Sequence, residues 1–137
     1  MLQHVVVASK LKIPAEMRHN IINVSNYPSI QELMLASDML VTDYSSVMFD
    51  YLNTNQPIYF FAYDLEKYLE LRGVYFDFAT EVPGPLVKTS DELLTAISNN
   101  DSYWEQYLES YKQFQNKFIP FDGPNTSETV YKDFFKR

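Results

Sequence analysis

Continuous apolar runs alternate with stretches of helical spacing along this chain, and that alternation is the first guide to its fold. Gln3 to Ala8, which contains His4-Val5-Val6-Val7, is β-branched and unbroken, and predicts a strand buried on both faces of a parallel sheet. Ile21-Ile22-Asn23-Val24, Met39-Leu40-Val41, Ile58-Tyr59-Phe60-Phe61 and Leu86-Val87 repeat the pattern at shorter length. Helix signals lie between them. Pro14 suits the first turn of a short helix through Glu16 and Arg18. Ser29-Ile30-Gln31-Glu32 and Thr89-Ser90-Asp91-Glu92 read as capping boxes, opening helices to about Ala36 and Ser98, the first with Ile30, Leu33 and Met34 inward. A helix starts near Ser46 and continues through Val47, Phe49, Asp50 and Leu52. Asp64 can cap another from Leu65 to about Leu71, broken by Arg72-Gly73. Val74-Tyr75-Phe76-Asp77-Phe78 reads as extended or loop, and Pro83-Gly84-Pro85 as a rigid turn. Asp101 or Ser102 caps a long amphipathic helix to about Lys117, its apolar face built from Tyr103, Trp104, Tyr107, Leu108, Tyr111 and Phe114. A last helix starts within Asn125 to Glu128 and ends at Arg137.

Strands alternating with helices through short loops imply an α/β fold, a parallel sheet of roughly four or five strands with flanking helices and right-handed crossovers. No repeat or linker interrupts it, so residues 1–137 read as a single domain with C-terminal helices at about 102–137. Sites in such sheets lie at the carboxyl ends of the strands. Thr42 to Ser46, Tyr63-Asp64 and the region after Phe76 all follow strands or strand-like segments and are expected to converge there.

Composition narrows the function. Hydrophobic residues make up 46% and aromatics 16%, which describes a folded chain. The net charge of −7 argues against nucleic acid or an anionic membrane surface as the main partner, so a bound phosphate must be held by local donors. With no cysteine there is no disulfide or thiolate metal site. No apolar run approaches the roughly 20 residues of a membrane helix, and no signal peptide is evident. Met1 followed directly by an apolar strand reads as a start inside a longer polypeptide. There is no HExxH, no DxD and no glycine-rich phosphate loop, so no metal or dinucleotide cofactor is expected.

The candidate chemistry gathers at Ala36 to Asp50. A strand ending in the hydroxyl-rich turn Thr42-Asp43-Tyr44-Ser45-Ser46 and opening a helix aims free N–H groups, with partial positive charge, at any anion bound there. A serine pair at a helix start is also a plain cap, and Asp43 has the wrong sign for an anion site unless it folds into the turn or meets a sugar hydroxyl. His4 is either a structural residue of an apolar strand or an acid/base group, whereas His19 reads as solvated. Arg72 is either a cation at a helix C-terminus or a guanidinium fork reaching a phosphate, and Lys88 has the same two readings. Gly84 marks either a turn or a close backbone approach to a ligand. Asp50, Asp64 and Asp77 could bond ribose or glycerol hydroxyls, and Asp64 reads as an N-cap as well.

The blocks Asn23-Val24-Ser25-Asn26-Tyr27, Val41-Thr42-Asp43-Tyr44-Ser45-Ser46-Val47-Met48-Phe49-Asp50-Tyr51, Tyr63-Asp64-Leu65, Arg72-Gly73-Val74-Tyr75-Phe76-Asp77-Phe78 and Pro83-Gly84-Pro85 occur in that order. In this the chain resembles the C-terminal part of the CDP-glycerol:poly(glycerophosphate) glycerophosphotransferase family of teichoic acid polymerases, over about residues 4 to 97. The resemblance implies a Rossmann-like parallel sheet with flanking helices, part of the C-terminal, nucleotide-donor domain of a GT-B type transferase. It implies transfer of glycerol phosphate from CDP-glycerol, or a ribitol counterpart from CDP-ribitol, to a polyol-phosphate polymer, with release of CMP. It carries Ser45 and Ser46, with Thr42 nearby, onto the donor phosphates, His4 onto an active-site histidine, Arg72 onto the family's Arg-Gly, and Gly84 onto its Pro-Gly-Pro. Leu2 and Gln3 stand where the family has a basic residue before that histidine. An N-terminal acceptor domain would be missing, leaving a fragment inactive alone, and the full-length enzyme would sit in the cytoplasm, peripheral at the inner face of the cell membrane. The alternatives are a nucleotide-sugar glycosyltransferase domain and a non-catalytic member of the same fold.

Overall fold

The computed structural model describes residues 13–135, and within them the chain separates into two compact units, one ending at Leu35 and one beginning at Ala36. In the first, Pro14 stands at the N-cap of a single 3-10 turn, Ala15–Met17, and α1 covers Ile30–Leu35. Only half of the expected capping box at α1 forms. The Ser29 hydroxyl accepts from the Glu32 amide at 3.2 Å, while the Glu32 carboxylate accepts from the Tyr27 hydroxyl at 2.7 Å. Met34 is buried, but Ile30 is exposed, contrary to its expected inward face. Among the described residues, Ile21 to Val24 belongs to no strand. The Asn23 side chain instead accepts from the Ser25 amide at 3.0 Å, and the Val24 carbonyl accepts from Tyr27, so a local turn displaces a ladder. The predicted strand at Gln3 to Ala8, with His4, lies outside the described residues.

The second unit carries the sheet. β1 (Leu40–Thr42), β2 (Ile58–Phe61) and β3 (Leu86–Val87) are parallel in the order β1-β2-β3, with Leu40 opposite Ile58, Thr42 opposite Phe60 and Phe61 opposite Val87. The expectation was four or five strands; the described residues hold three. β2 lies between two neighbours, and Ile58, Tyr59 and Phe60 are all buried, which is why its four residues read as an unbroken apolar run.

α2 (Val47–Tyr51) follows β1, and α3 (Leu65–Leu71) follows β2. Gly73, at φ +68°, takes the left-handed position that ends α3, its amide bonding Leu69. The stretch after it is not simply extended: α4 (Phe78–Glu81) starts there, capped by Asp77, whose carboxylate accepts from the Ala79 amide at 3.1 Å. α5 (Ser90–Ser98) has the full capping box of Thr89 and Glu92. α6 (Tyr103–Phe118) begins at Ser102 without a side-chain cap, because that hydroxyl donates to the Asn99 carbonyl at 2.9 Å. Its buried stripe is Tyr103, Tyr111 and Phe114; Leu108 sits off that stripe and is exposed, a correction to the face expected from sequence. α7 covers Thr126–Phe135.

Aromatic packing joins α2, α6 and the segment before α4. Phe114 and Phe49 stack at 5.8 Å, Phe114 and Phe118 meet at 4.4 Å, and Phe76 touches Phe49, Phe114 and Phe118. Tyr103 ties α6 to the strands with its hydroxyl, which accepts from the Ile58 amide at 3.1 Å and donates to the Pro83 carbonyl at 2.7 Å. Among the described residues no helix is long and apolar enough to cross a membrane.

Candidate donor-binding turn

The turn after β1 is built by its own side chains. Asp43 folds inward and accepts the Ser45 amide at 3.1 Å, so its carboxylate serves the turn. Ser45 lies half-buried, and its hydroxyl sits 3.4 Å from the Val47 amide. Ser46 occupies the N-cap position of α2 yet caps nothing. Among the described residues its hydroxyl and its amide have no partner, and the residue is exposed. The sequence could not say which serine of the pair closes the helix. The structure divides the work: Ser45 faces the helix start, and Ser46 faces solvent with two free donors.

Tyr44 fixes the turn to the next strand. Its hydroxyl donates to Asp64 at 2.9 Å, its ring stacks on Tyr68 at 3.8 Å, and Phe78 packs at 5.3 Å. Burial, then the bond to Asp64 and the nearby carboxylates, push the Tyr44 phenol well above its ordinary range, so it remains a proton donor. Asp64 stands at the N-cap of α3 but makes no cap bond, contrary to expectation, because its carboxylate is turned to Tyr44. The three segments expected to converge at the carboxyl edge do so through Tyr44, Asp64 and Phe78.

The other candidates lie as follows. Thr42 ends β1, half-buried opposite Phe60. Asp50 is exposed on α2. Arg72 is the C-cap of α3, exposed and with no side-chain partner among the described residues; the helix carries it about 12 Å from Asp64. Lys88 pairs with Glu66, holding that carboxyl below the usual range, and so is engaged on the surface. Gly84 is buried, and a Cβ there would stand 2.0 Å from the Ile58 carbonyl oxygen and 2.7 Å from the Tyr103 hydroxyl. Gly84, read from sequence as either a turn or a close approach to a ligand, thus stands hard against β2 and the Tyr103 hydroxyl of α6. Asp77 is a helix cap, and His4 lies outside the described residues.

Residues 1–136 match the family described as CDP-Glycerol:Poly(glycerophosphate) glycerophosphotransferase. The chain belongs to that family. The teichoic acid poly(glycerol phosphate) polymerase of Bacillus subtilis (strain 168) is 45% identical over 113 residues, 82% of this chain and 15% of that protein. The teichoic acid glycerol-phosphate transferase of Staphylococcus aureus is 43% identical over 115 residues, 83% of this chain and 30% of that one. Among solved structures, a variant of the wall teichoic acid polymerase TagF soaked with CDPG superposes with a TM-score of 0.83 at 37% identity, covering 94% of this chain and 32% of that chain. The chain thus spans less than a third of each of these relatives. Its α/β fold, expected from sequence as part of a GT-B type transferase, is the fold it shares with TagF.

Proposed function

We propose that this chain is the donor-binding part of a glycerophosphotransferase that moves glycerol phosphate from CDP-glycerol to the end of a growing teichoic acid or related surface polymer. The acceptor's terminal hydroxyl oxygen attacks the β-phosphorus that bears glycerol. A new P–O bond forms, the bond from that phosphorus to the bridging oxygen breaks, and CMP leaves with the bridging oxygen; the hydroxyl proton passes to a base. The reading rests on family membership, and the observation that ties it to a site is Ser46, whose free amide and free hydroxyl stand at the carboxyl edge of the sheet. Ser45 and Thr42 line the same turn, Asp50 lies one helical turn on to meet a ribose or glycerol hydroxyl, and His4 and Arg72 supply charge stabilisation. In this reading Gly84 acts indirectly, by letting the Pro-Gly-Pro turn close on β2. The full-length enzyme works in the cytoplasm at the inner face of the cell membrane, with an acceptor domain supplied by the rest of the polypeptide.

Calorimetric titration of the chain with CDP-glycerol, CDP-ribitol, CMP, UDP and ADP tests this. Binding is expected for the cytidine nucleotides only. Ser46→Ala should weaken CDP-glycerol by about 1.5–3 kcal/mol, the value of one hydrogen bond to a charged acceptor. Equal binding of UDP would favour a sugar-nucleotide transferase instead, and an unchanged Ser46→Ala affinity would remove this turn from the site.

A further inference from the structure

We propose that Tyr44 and Asp64 are a positioning pair that sets the aim of the Ser45-Ser46 turn at the donor's phosphates; this rests on the reading just given. The geometry is specific. Tyr44 lies between the residue that folds the turn, Asp43, and the serines, so its side chain controls the backbone from which both serines project. That side chain is held in three ways: by Tyr68 stacked at 3.8 Å with planes 18° apart, by Phe78 at 5.3 Å, and by the hydroxyl bond of 2.9 Å to Asp64. The two ring contacts fill space. The hydroxyl bond is directional, and it crosses from the loop after β1 to the loop after β2.

Asp64 supplies the second half of the argument. An aspartate at a helix N-cap ordinarily accepts from the first amides of its own helix. Here it caps nothing, although it occupies that position in α3, and its Oδ1 accepts the hydrogen bond donated by the Tyr44 hydroxyl. The local bond is given up for one that spans the sheet edge. Without it, rotation about the Tyr44 backbone would redirect the Ser46 amide and hydroxyl while leaving the aromatic packing in place. A turn that must present two donors to one phosphate is sensitive to such a rotation, since hydrogen bonds weaken steeply with misalignment.

The test compares CDP-glycerol with cytidine, which shares the base and ribose but has no phosphate. Affinities and melting temperatures are measured for the wild-type chain and for Tyr44→Phe, Asp64→Ala, Asp64→Asn, Tyr44→Phe/Asp64→Ala and Ser46→Ala. Tyr44→Phe and Asp64→Ala are each expected to weaken CDP-glycerol at least fivefold with cytidine affinity unchanged. The double variant should be no weaker than the worse single one, and Asp64→Asn, which keeps the acceptor oxygen, should bind close to wild type. Wild-type affinity in Tyr44→Phe, together with loss in Ser46→Ala, overturns the positioning role and leaves the donor site standing. A parallel fall for both ligands along with the melting temperature overturns it in favour of a packing role. Failure of the wild-type chain to bind CDP-glycerol overturns the donor-site reading and this inference with it.

Discussion

Tyr103→Phe isolates one hydroxyl that joins three elements. The Tyr103 ring is 3% exposed at the start of α6, and its hydroxyl accepts from the Ile58 amide at 3.1 Å and donates to the Pro83 carbonyl at 2.7 Å. Burial pushes this phenol well above its ordinary range, so it stays protonated and keeps both roles. Phenylalanine preserves the ring contacts with Tyr59 and Tyr107 but leaves a buried amide and a buried carbonyl without that partner. Each orphaned group costs about 1–3 kcal/mol, less what is gained by no longer burying the hydroxyl, so a net loss of about 2–4 kcal/mol is expected. An unfolding entropy of about 2.1 cal/mol/K per residue over 137 residues converts each kcal/mol to roughly 3–4 °C. The melting temperature followed by circular dichroism should therefore fall by about 7–14 °C. Tyr107→Phe is the control, since that half-buried hydroxyl has no hydrogen-bond partner among the described residues, and it should shift the midpoint by less than about 2 °C. A Tyr103→Phe midpoint as close to wild type as the control's would refute the view that this hydroxyl holds the Pro-Gly-Pro turn against β2.

Three further outcomes follow from the same packing. Gly84→Ala places a methyl 2.0 Å from the Ile58 carbonyl oxygen, in a strand held by neighbours on both sides; soluble yield and melting temperature should drop further than for Tyr103→Phe, and a variant as stable as wild type would contradict the contact. Phe114→Ala removes a ring that is 2% exposed and packed on Phe49, Phe76 and Phe118, for a loss of about 3–5 kcal/mol in urea denaturation. The third is acid sensitivity. Glu92 is held below the usual carboxylate range by the Lys88 and Thr89 amides, Glu66 by Lys88, and Glu81 by Lys117. A lowered folded-state value means the stabilisation is complete above the unfolded carboxyl range and is lost as pH falls through the lower folded value. The midpoint should decline from about pH 5 to pH 3, and Glu92→Gln should flatten that decline; an unaltered slope would separate the cap from the acid response.

The parts legible in sequence are those whose causes are local. Ile58 to Phe61 announces a buried central strand because all four residues are apolar, and Thr89 to Glu92 announces its cap because both halves of the box lie within four residues. What escaped either departs from the usual local spacing or depends on partners far along the chain. The Asp77 cap opening α4 was hidden because the residue that returns a bond to its amide, Glu81, is four positions on rather than three. Gly84 read as either a turn or a close approach to a ligand, since nothing near it in sequence reveals that Ile58, 26 positions earlier, stands against it. Asp64 looked like a cap because the competing donor, Tyr44, belongs to another loop. Within the candidate site, the serine pair and its turn were legible, but not which hydroxyl would remain free.

The charge balance of the turn shows why a net −7 need not forbid a diphosphate ligand. Charges more than about 8 Å away are largely screened at physiological salt, so the few groups beside the turn decide the matter. A carboxylate about 6 Å from a phosphate in a watery setting opposes it by roughly 0.7 kcal/mol per unit charge. A single hydrogen bond to a charged acceptor contributes about 1.5–3 kcal/mol, and Ser46 alone offers two donors. The two acidic side chains joined to this turn are moreover turned toward protein donors, Asp43 to the Ser45 amide and Asp64 to the Tyr44 hydroxyl. Local donors thus outweigh the repulsion, and the same two bonds that draw the carboxylates inward fix the backbone from which those donors point.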